Sequence, residues 1–174
     1  WQVIDAAARE DQPHVVDYSR TLGGLLLIRA GEFARARQML EAVRPHPEQD
    51  TTPDAKLYLA LLRAHEGDVD RALGELRKLG EGSRPFVRPD VEIRILALGD
   101  KRQRERSLRL ARDWWTRQKN VTSWAAVATA LRANGMHRET VDKVLAADPR
   151  TDAPLPAYMA HHWRAARRAI GESP

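Results

Sequence analysis

Cysteine is absent from the 174 residues, which removes disulfides, thiolate nucleophiles and cysteine-ligated zinc at once. The redox compartment stays open for the same reason. Long apolar runs are missing too: no charge-free stretch approaches the roughly 20 residues of a membrane-spanning helix, so no membrane insertion is expected. No secretory apolar segment or amphipathic transit segment stands out. Alternating runs of β-branched residues do not occur, which speaks against a sheet. Lysine is scarce: five residues (Lys56, Lys78, Lys101, Lys119, Lys143) among 29 basic ones, so arginine carries nearly all the positive charge. Arginine forks onto phosphate and carboxylate and suits fixed interfaces. A GC-rich genome, enriching Arg and Ala together, gives the same count.

What remains is an ordinary globular composition, 43% apolar and 30% charged, in a chain long enough for a real hydrophobic core. Apolar residues recur at three- and four-residue spacing nearly throughout, which predicts helices. The run Leu57–Leu62 suits a helix buried on most sides. Val69, Ala72, Leu73, Leu76 and Leu79 follow as one amphipathic stripe. Between them stands Glu66-Gly67-Asp68, where the glycine ends one helix in a left-handed cap and the aspartate caps the next.

That punctuation repeats. Gly31 separates Leu22–Ala30 from Phe33–Val43, Gly99 separates Val91–Leu98 from Leu108–Trp115, and Gly135 separates Trp124–Leu131 from Val141–Leu145. The four glycines are spaced by 36, 32 and 36 residues. A helix–turn–helix at a period in the mid-thirties marks an α-solenoid, because each hairpin has a face it buries only against a neighbour. Prolines fall where copies join: Pro13, Pro45 and Pro47, Pro85 to Pro89, Pro149 and Pro154.

These units resemble tetratricopeptide repeats and the related pentatricopeptide repeats. Gly24, Gly31, Ala36 and Leu40 in the first unit, and Leu59, Ala60, Gly67, Ala72 and Leu76 in the second, fall on the family's pattern of small and large residues. In the stretch Asn120 to His137, Trp124, Ala128, Leu131 and Gly135 fit either family, with a pentatricopeptide flavour. The third unit departs from the pattern, since Glu92 and Arg104 stand where small residues belong. The resemblance implies an all-α, right-handed solenoid of about four hairpins in one domain, 1–174. Its parts are the end of a preceding repeat (1–13), repeats at 14–50, 51–85, 86–119 (degenerate) and 120–153, and a C-terminal capping helix (154–174). Trp1 is not an initiator residue, and chain upstream of it is expected.

Charge points to two surfaces. Lys101 to Lys119 holds eight basic and two acidic residues, a local net of +6 in a chain of net +5. On a helical projection Leu108, Ala111 and Trp115 face inward, while Arg102, Arg106, Arg109 and Arg117 line the other side, interrupted by Asp113. This is a candidate polyanion-binding stripe, or a solvated outer face. Trp114, leaning beside the inward stripe, either stacks on a base or packs half-buried. Trp1, Trp114, Trp163, Arg164 and Arg168 are candidate protein-interface residues, the tryptophans as anchors. The basic residues near Arg164 equally suit the polar outer face of a terminal repeat.

Specialised readouts fit poorly. Pentatricopeptide proteins that read RNA base by base use a polar residue near the start of each first helix. Those places hold Thr21, Leu57, Pro89 and Ala125, of which only Thr21 is suitable. The lysine–asparagine clamp for a C-terminal carboxylate is missing, its places being Thr21 and Leu25, Leu57 and Leu61, Ala125 and Thr129. The presumed concave face is mostly apolar, which suits a docked amphipathic helix or tight internal packing alike. His161 and His162 lie about 100° apart on a helix and cannot easily share a metal. No phosphate loop, no Gly-x-Ser-x-Gly elbow and no convergent acid, base or nucleophile set appears, so neither enzyme activity nor a metal, cofactor or small-molecule substrate is expected. The expected function is a scaffold that docks protein partners within a larger assembly. The alternative is an RNA-associated factor or ribosome-associated subunit touching nucleic-acid backbone through the arginine stripe. The expected setting is intracellular and soluble, a mitochondrial or other organellar matrix included.

Overall fold

The computed structural model describes residues 13–47, 50–79, 87–118 and 120–136. These form seven helices and no strand: α1 (Pro13–Ala30), α2 (Phe33–Glu41), α3 (Thr52–His65), α4 (Val69–Lys78), α5 (Val87–Ala97), α6 (Lys101–Gln118) and α7 (Val121–Ala133). No helix among the described residues is long and apolar enough to cross a membrane. The chain divides into two compact units, Trp1–Val91 and Glu92–Pro174, with the division inside α5.

Three of the four period-marking glycines build the same turn. Gly31, Gly67 and Gly135 have φ of 79°, 95° and 71°, a region that side-chain-bearing residues enter only at a cost. In each case the glycine N–H donates to the carbonyl three residues back (Ile28, Ala64, Arg132; 3.0–3.1 Å). The next N–H donates to the carbonyl five residues back (Leu27, Arg63, Leu131; 2.9–3.2 Å). That pair of bonds satisfies carbonyls which a helix end leaves orphaned. Gly99 departs from the others. It is not left-handed, and the Asp100 N–H that would make the five-back bond donates instead to Gln103 Oε1 at 2.8 Å. The Gln103 N–H returns the contact to Asp100 Oδ1 at 2.8 Å, so a reciprocal capping box starts α6 directly.

In the first unit α1 packs on α2, α3 packs on α4, and α3 lies against both α1 and α2. Two hairpins are thus stacked with their first helices adjacent. Small residues sit where helices cross: Gly24 of α1 meets Leu40 of α2, and Ala36, Ala60 and Ala72 are fully buried. Around them Leu27, Leu57, Leu62 and Leu76 close the core, each worth about 1.5–3 kcal/mol of burial. Pro53 near the start of α3 costs no hydrogen bond there, and Arg63 and His65 in its last turn suit the dipole. The His65 ring lies 5.4 Å from that of Phe33.

Arginines fasten this unit. Arg37 of α2 donates from its Nη2 to both carboxylate oxygens of Glu66 at the end of α3 (2.6 and 2.7 Å), a hydrogen-bonded pairing that holds its guanidinium above the ordinary arginine range. Arg63 of α3 reaches Glu75 of α4 at 3.0 Å, and Arg35 pairs with Glu32. Asp17, 5% exposed, accepts from Arg20 Nη1 (2.9 Å) and from the backbone N–H of Arg44 beyond α2 (3.3 Å).

In the second unit α6 packs against α7. Their core joins Ala111 and Trp114 of α6 to Trp124, Val127, Ala130 and Leu131 of α7, with Ile93 of α5. Asn120 and Ser123 form a capping box at the start of α7. The Asn134 side-chain amide crosses to the α6 backbone, donating to the Arg104 carbonyl at 2.8 Å.

Candidate functional site

The basic stripe is real and lies on α6. Arg102, Arg106, Arg109 and Arg117 are all exposed, as are Lys101 and Arg112. The capping box fixes where the helix begins, and burial of Ser107, Ala111 and Trp114 fixes which face turns inward. The stripe is therefore held by a packed backbone rather than by a loop.

The four predicted cations are not equivalent. Arg106 Nη2 donates to Glu92 Oε1 of α5 at 3.0 Å, which partly neutralises it. Arg117 turns its Nε back onto the Asp113 carbonyl at 3.2 Å. Arg102 and Arg109 make no ion pair among the described residues, and neither does Arg112. Arg112 was missed because it sits to one side of the straight line through Arg102 and Arg109. The three-residue step from Arg109 marks it as a neighbour on the same face.

Trp114 follows the packing alternative, more deeply than expected, and not the base-stacking or interface one. It is 3% exposed and packs between α6 and α7, so it offers neither a base-stacking plate nor an interface anchor. Trp115, expected inward, is half-buried beside it, as is Leu108; the fully buried line is Ser107, Ala111 and Trp114. Ser107 Oγ and Trp114 Nε1 have no hydrogen-bond partner among the described residues. The expectations at Trp1, Trp163, Arg164 and Arg168, the histidines at 161–162 and the helix ending at Ile170 all lie outside the described residues.

The family readout positions are consumed by the fold. Thr21 is buried, donates its hydroxyl to the Asp17 carbonyl (2.8 Å) and stands 3.3 Å from the Thr51 hydroxyl. Leu57 and Leu61 are buried, and Thr129 donates to the Ala125 carbonyl at 3.0 Å. None of these side chains is left over to read a base or clamp a carboxylate. Among the described residues no group of three or more His, Asp or Glu is placed to hold a metal ion.

Sequence reasoning missed a second surface. On α1, Tyr18, Leu22 and Leu26 stand at four-residue intervals and are 45%, 40% and 51% exposed. They form one apolar row about 12 Å long on the side of α1 away from its buried residues. The spacing was visible, but Leu25, Leu27 and Ile28 make the helix apolar all round, so periodicity alone left the open side undecided.

Compared with known protein families, with curated proteins and with solved structures, the chain matches none.

Proposed function

We propose that the chain is a non-catalytic helical-repeat scaffold of tetratricopeptide or pentatricopeptide type, a right-handed array of about four hairpins that docks a partner protein within a larger assembly. The repeat reading is supported by the identical turns at Gly31, Gly67 and Gly135 and by the stacking of α1–α2 on α3–α4. The observation that carries the docking role is the open row Tyr18, Leu22 and Leu26. Three large apolar groups in line on a helix already braced by α2 and α3 match an amphipathic partner helix. Such a helix presents its own apolar side chains at the same spacing. Because the platform is ordered before binding, less of the contact energy is lost to ordering it.

The test is native mass spectrometry of the full chain purified with its natural neighbours, beside a Leu22→Glu/Leu26→Glu variant. A stoichiometric protein partner is expected with the natural sequence and absent from the variant, whose helical circular dichroism should be unchanged. Recovery of the natural chain alone and monomeric at physiological salt would refute the reading.

A further inference from the structure

Unpaired arginines cluster on α6. In the first unit Arg20, Arg35, Arg37, Arg63 and Arg71 have carboxylate partners within ion-pair distance, and those without one among the described residues, Arg44 and Arg77, stand far apart in sequence. On the exposed face of α6, Arg102, Arg109 and Arg112 have none among the described residues, and Arg106 shares only Glu92. Glu105 and Asp113 lie on the same face, yet neither pairs with any of these cations. The sequence thus supplies carboxylates along α6 that the structure does not use to neutralise its arginines.

We propose that the exposed face of α6 binds a nucleic-acid strand through its backbone phosphates, with Arg102, Arg109 and Arg112 as the principal contacts. The backbone positions of the three arginines follow the helix axis at intervals of about 10 and 5 Å, and the whole helix is about 27 Å long. Their planar forks match phosphate oxygens, and being unpaired they lose no internal partner when they turn to a ligand. Arg106 and Arg117 flank the row and add field, each with donors still directed to solvent. Base reading has no part in it. Trp114 is inside the core, the amide of Asn134 is spent on the Arg104 and Ala130 carbonyls, and Thr116 donates to the Arg112 carbonyl. The site reads phosphate and is indifferent to sequence. An acidic peptide is the weaker fit, because a natural one carries charge only at its Asp and Glu residues, whereas a phosphodiester strand carries one at every nucleotide and so can meet all three spaced guanidiniums. The proposal does not rest on docking at α1, which lies in the other unit.

The experiment measures binding of the full chain to a fluorescent oligouridylate of about 20 nucleotides across a salt series. Three phosphate contacts predict a slope of log K against log salt of about −2 for a single strand. Arg102→Glu/Arg109→Glu/Arg112→Glu should weaken binding by at least about tenfold at low salt and flatten that slope. Arg71→Glu, on the other unit, should leave binding unchanged. If the triple reversal disturbs the fold by circular dichroism, the same three changed to Gln serve instead, with the same loss of slope expected. An oligothymidylate of equal length should bind within about twofold, since phosphate is common to both. No binding at low salt, an unaltered slope in the triple variant, or tighter binding of a polyglutamate than of the oligonucleotide would each overturn the proposal.

Discussion

Replacing Gly24 by alanine tests the packing on which the stacked hairpins depend. A helix-interior glycine changed to alanine gains up to about 1 kcal/mol from backbone entropy alone. At Gly24, however, an added Cβ would stand 2.5 Å from both Cγ and Cδ2 of Leu40 and 3.2 Å from Cδ1. Carbon atoms pack comfortably at about 3.5–4.0 Å, so two contacts are short by about an ångström. Cγ is the branch point of the leucine, not a mobile tip, and Leu40 is buried with nowhere to swing. Overpacking of this kind costs about 1–3 kcal/mol, which cancels the entropic gain and leaves a net loss of up to about 2 kcal/mol. Gly74 of α4 supplies the control. Its nearest foreign atom would be the far end of Arg77 at 3.9 Å, so Gly74→Ala should stabilise by about 0.5–1 kcal/mol. Urea denaturation of both variants should therefore move the midpoint in opposite directions. Leu40→Ala alone should cost about 2–5 kcal/mol, and less when Gly24→Ala is present, because the new methyl then enters space the leucine has left. If Gly24→Ala stabilised as much as Gly74→Ala, the close crossing of α1 and α2 would be refuted.

Two further substitutions probe buried polar groups by chemical denaturation. Ser107 is fully buried in α6 and its hydroxyl has no partner among the described residues, so Ser107→Ala should raise stability by about 0.5–2 kcal/mol, removing a desolvated group and improving helix propensity. Asp17→Ala should lower it by about 1–3 kcal/mol, since it leaves the Arg44 N–H without its acceptor; Asp17→Asn, which keeps an acceptor, should recover part of that loss.

Turn chemistry made the fold legible. Glycine followed by Glu or Asp and then a new apolar stripe located the α1–α2 and α3–α4 turns, because only glycine sits easily at the left-handed position those caps require. Gly99 carries the same letter but does another job. Asp100 with Gln103 three residues on is a capping-box signature, and that box takes the N–H a left-handed cap would have used. An alanine there would put its Cβ 2.8 Å from Gln103 Cβ, so the glycine is kept for closeness rather than for φ. The tryptophan pair failed for a related reason. Leu108 drew the expected inward line toward Trp115, whereas the fully buried line runs through the small side chains of Ser107 and Ala111 to Trp114, with Ala111 and Trp114 in the core shared with α7. A narrow seam set by small residues does not show in a hydrophobic pattern. The row on α1 was hidden by excess, since a helix apolar on every side has no phase to read.

The two proposed surfaces differ in physics, and that difference makes them separable in one preparation. Contacts on Tyr18, Leu22 and Leu26 would gain their energy from apolar burial, which added salt leaves intact or strengthens. Contacts on Arg102, Arg109 and Arg112 would gain theirs from displaced counterions, and these fade as the screening length shrinks from about 30 Å at low salt to about 8 Å at physiological strength. Mutual repulsion among the α6 cations is screened by the same ions, so an exposed unpaired row costs the fold little at physiological salt. Pairing bridges helices in the first unit at Arg37–Glu66 and Arg63–Glu75, and on α6 at Arg106–Glu92, whereas Arg102, Arg109 and Arg112 have no such bridge among the described residues. An assembly built on both surfaces should therefore release nucleic acid first as salt rises and keep its protein partner.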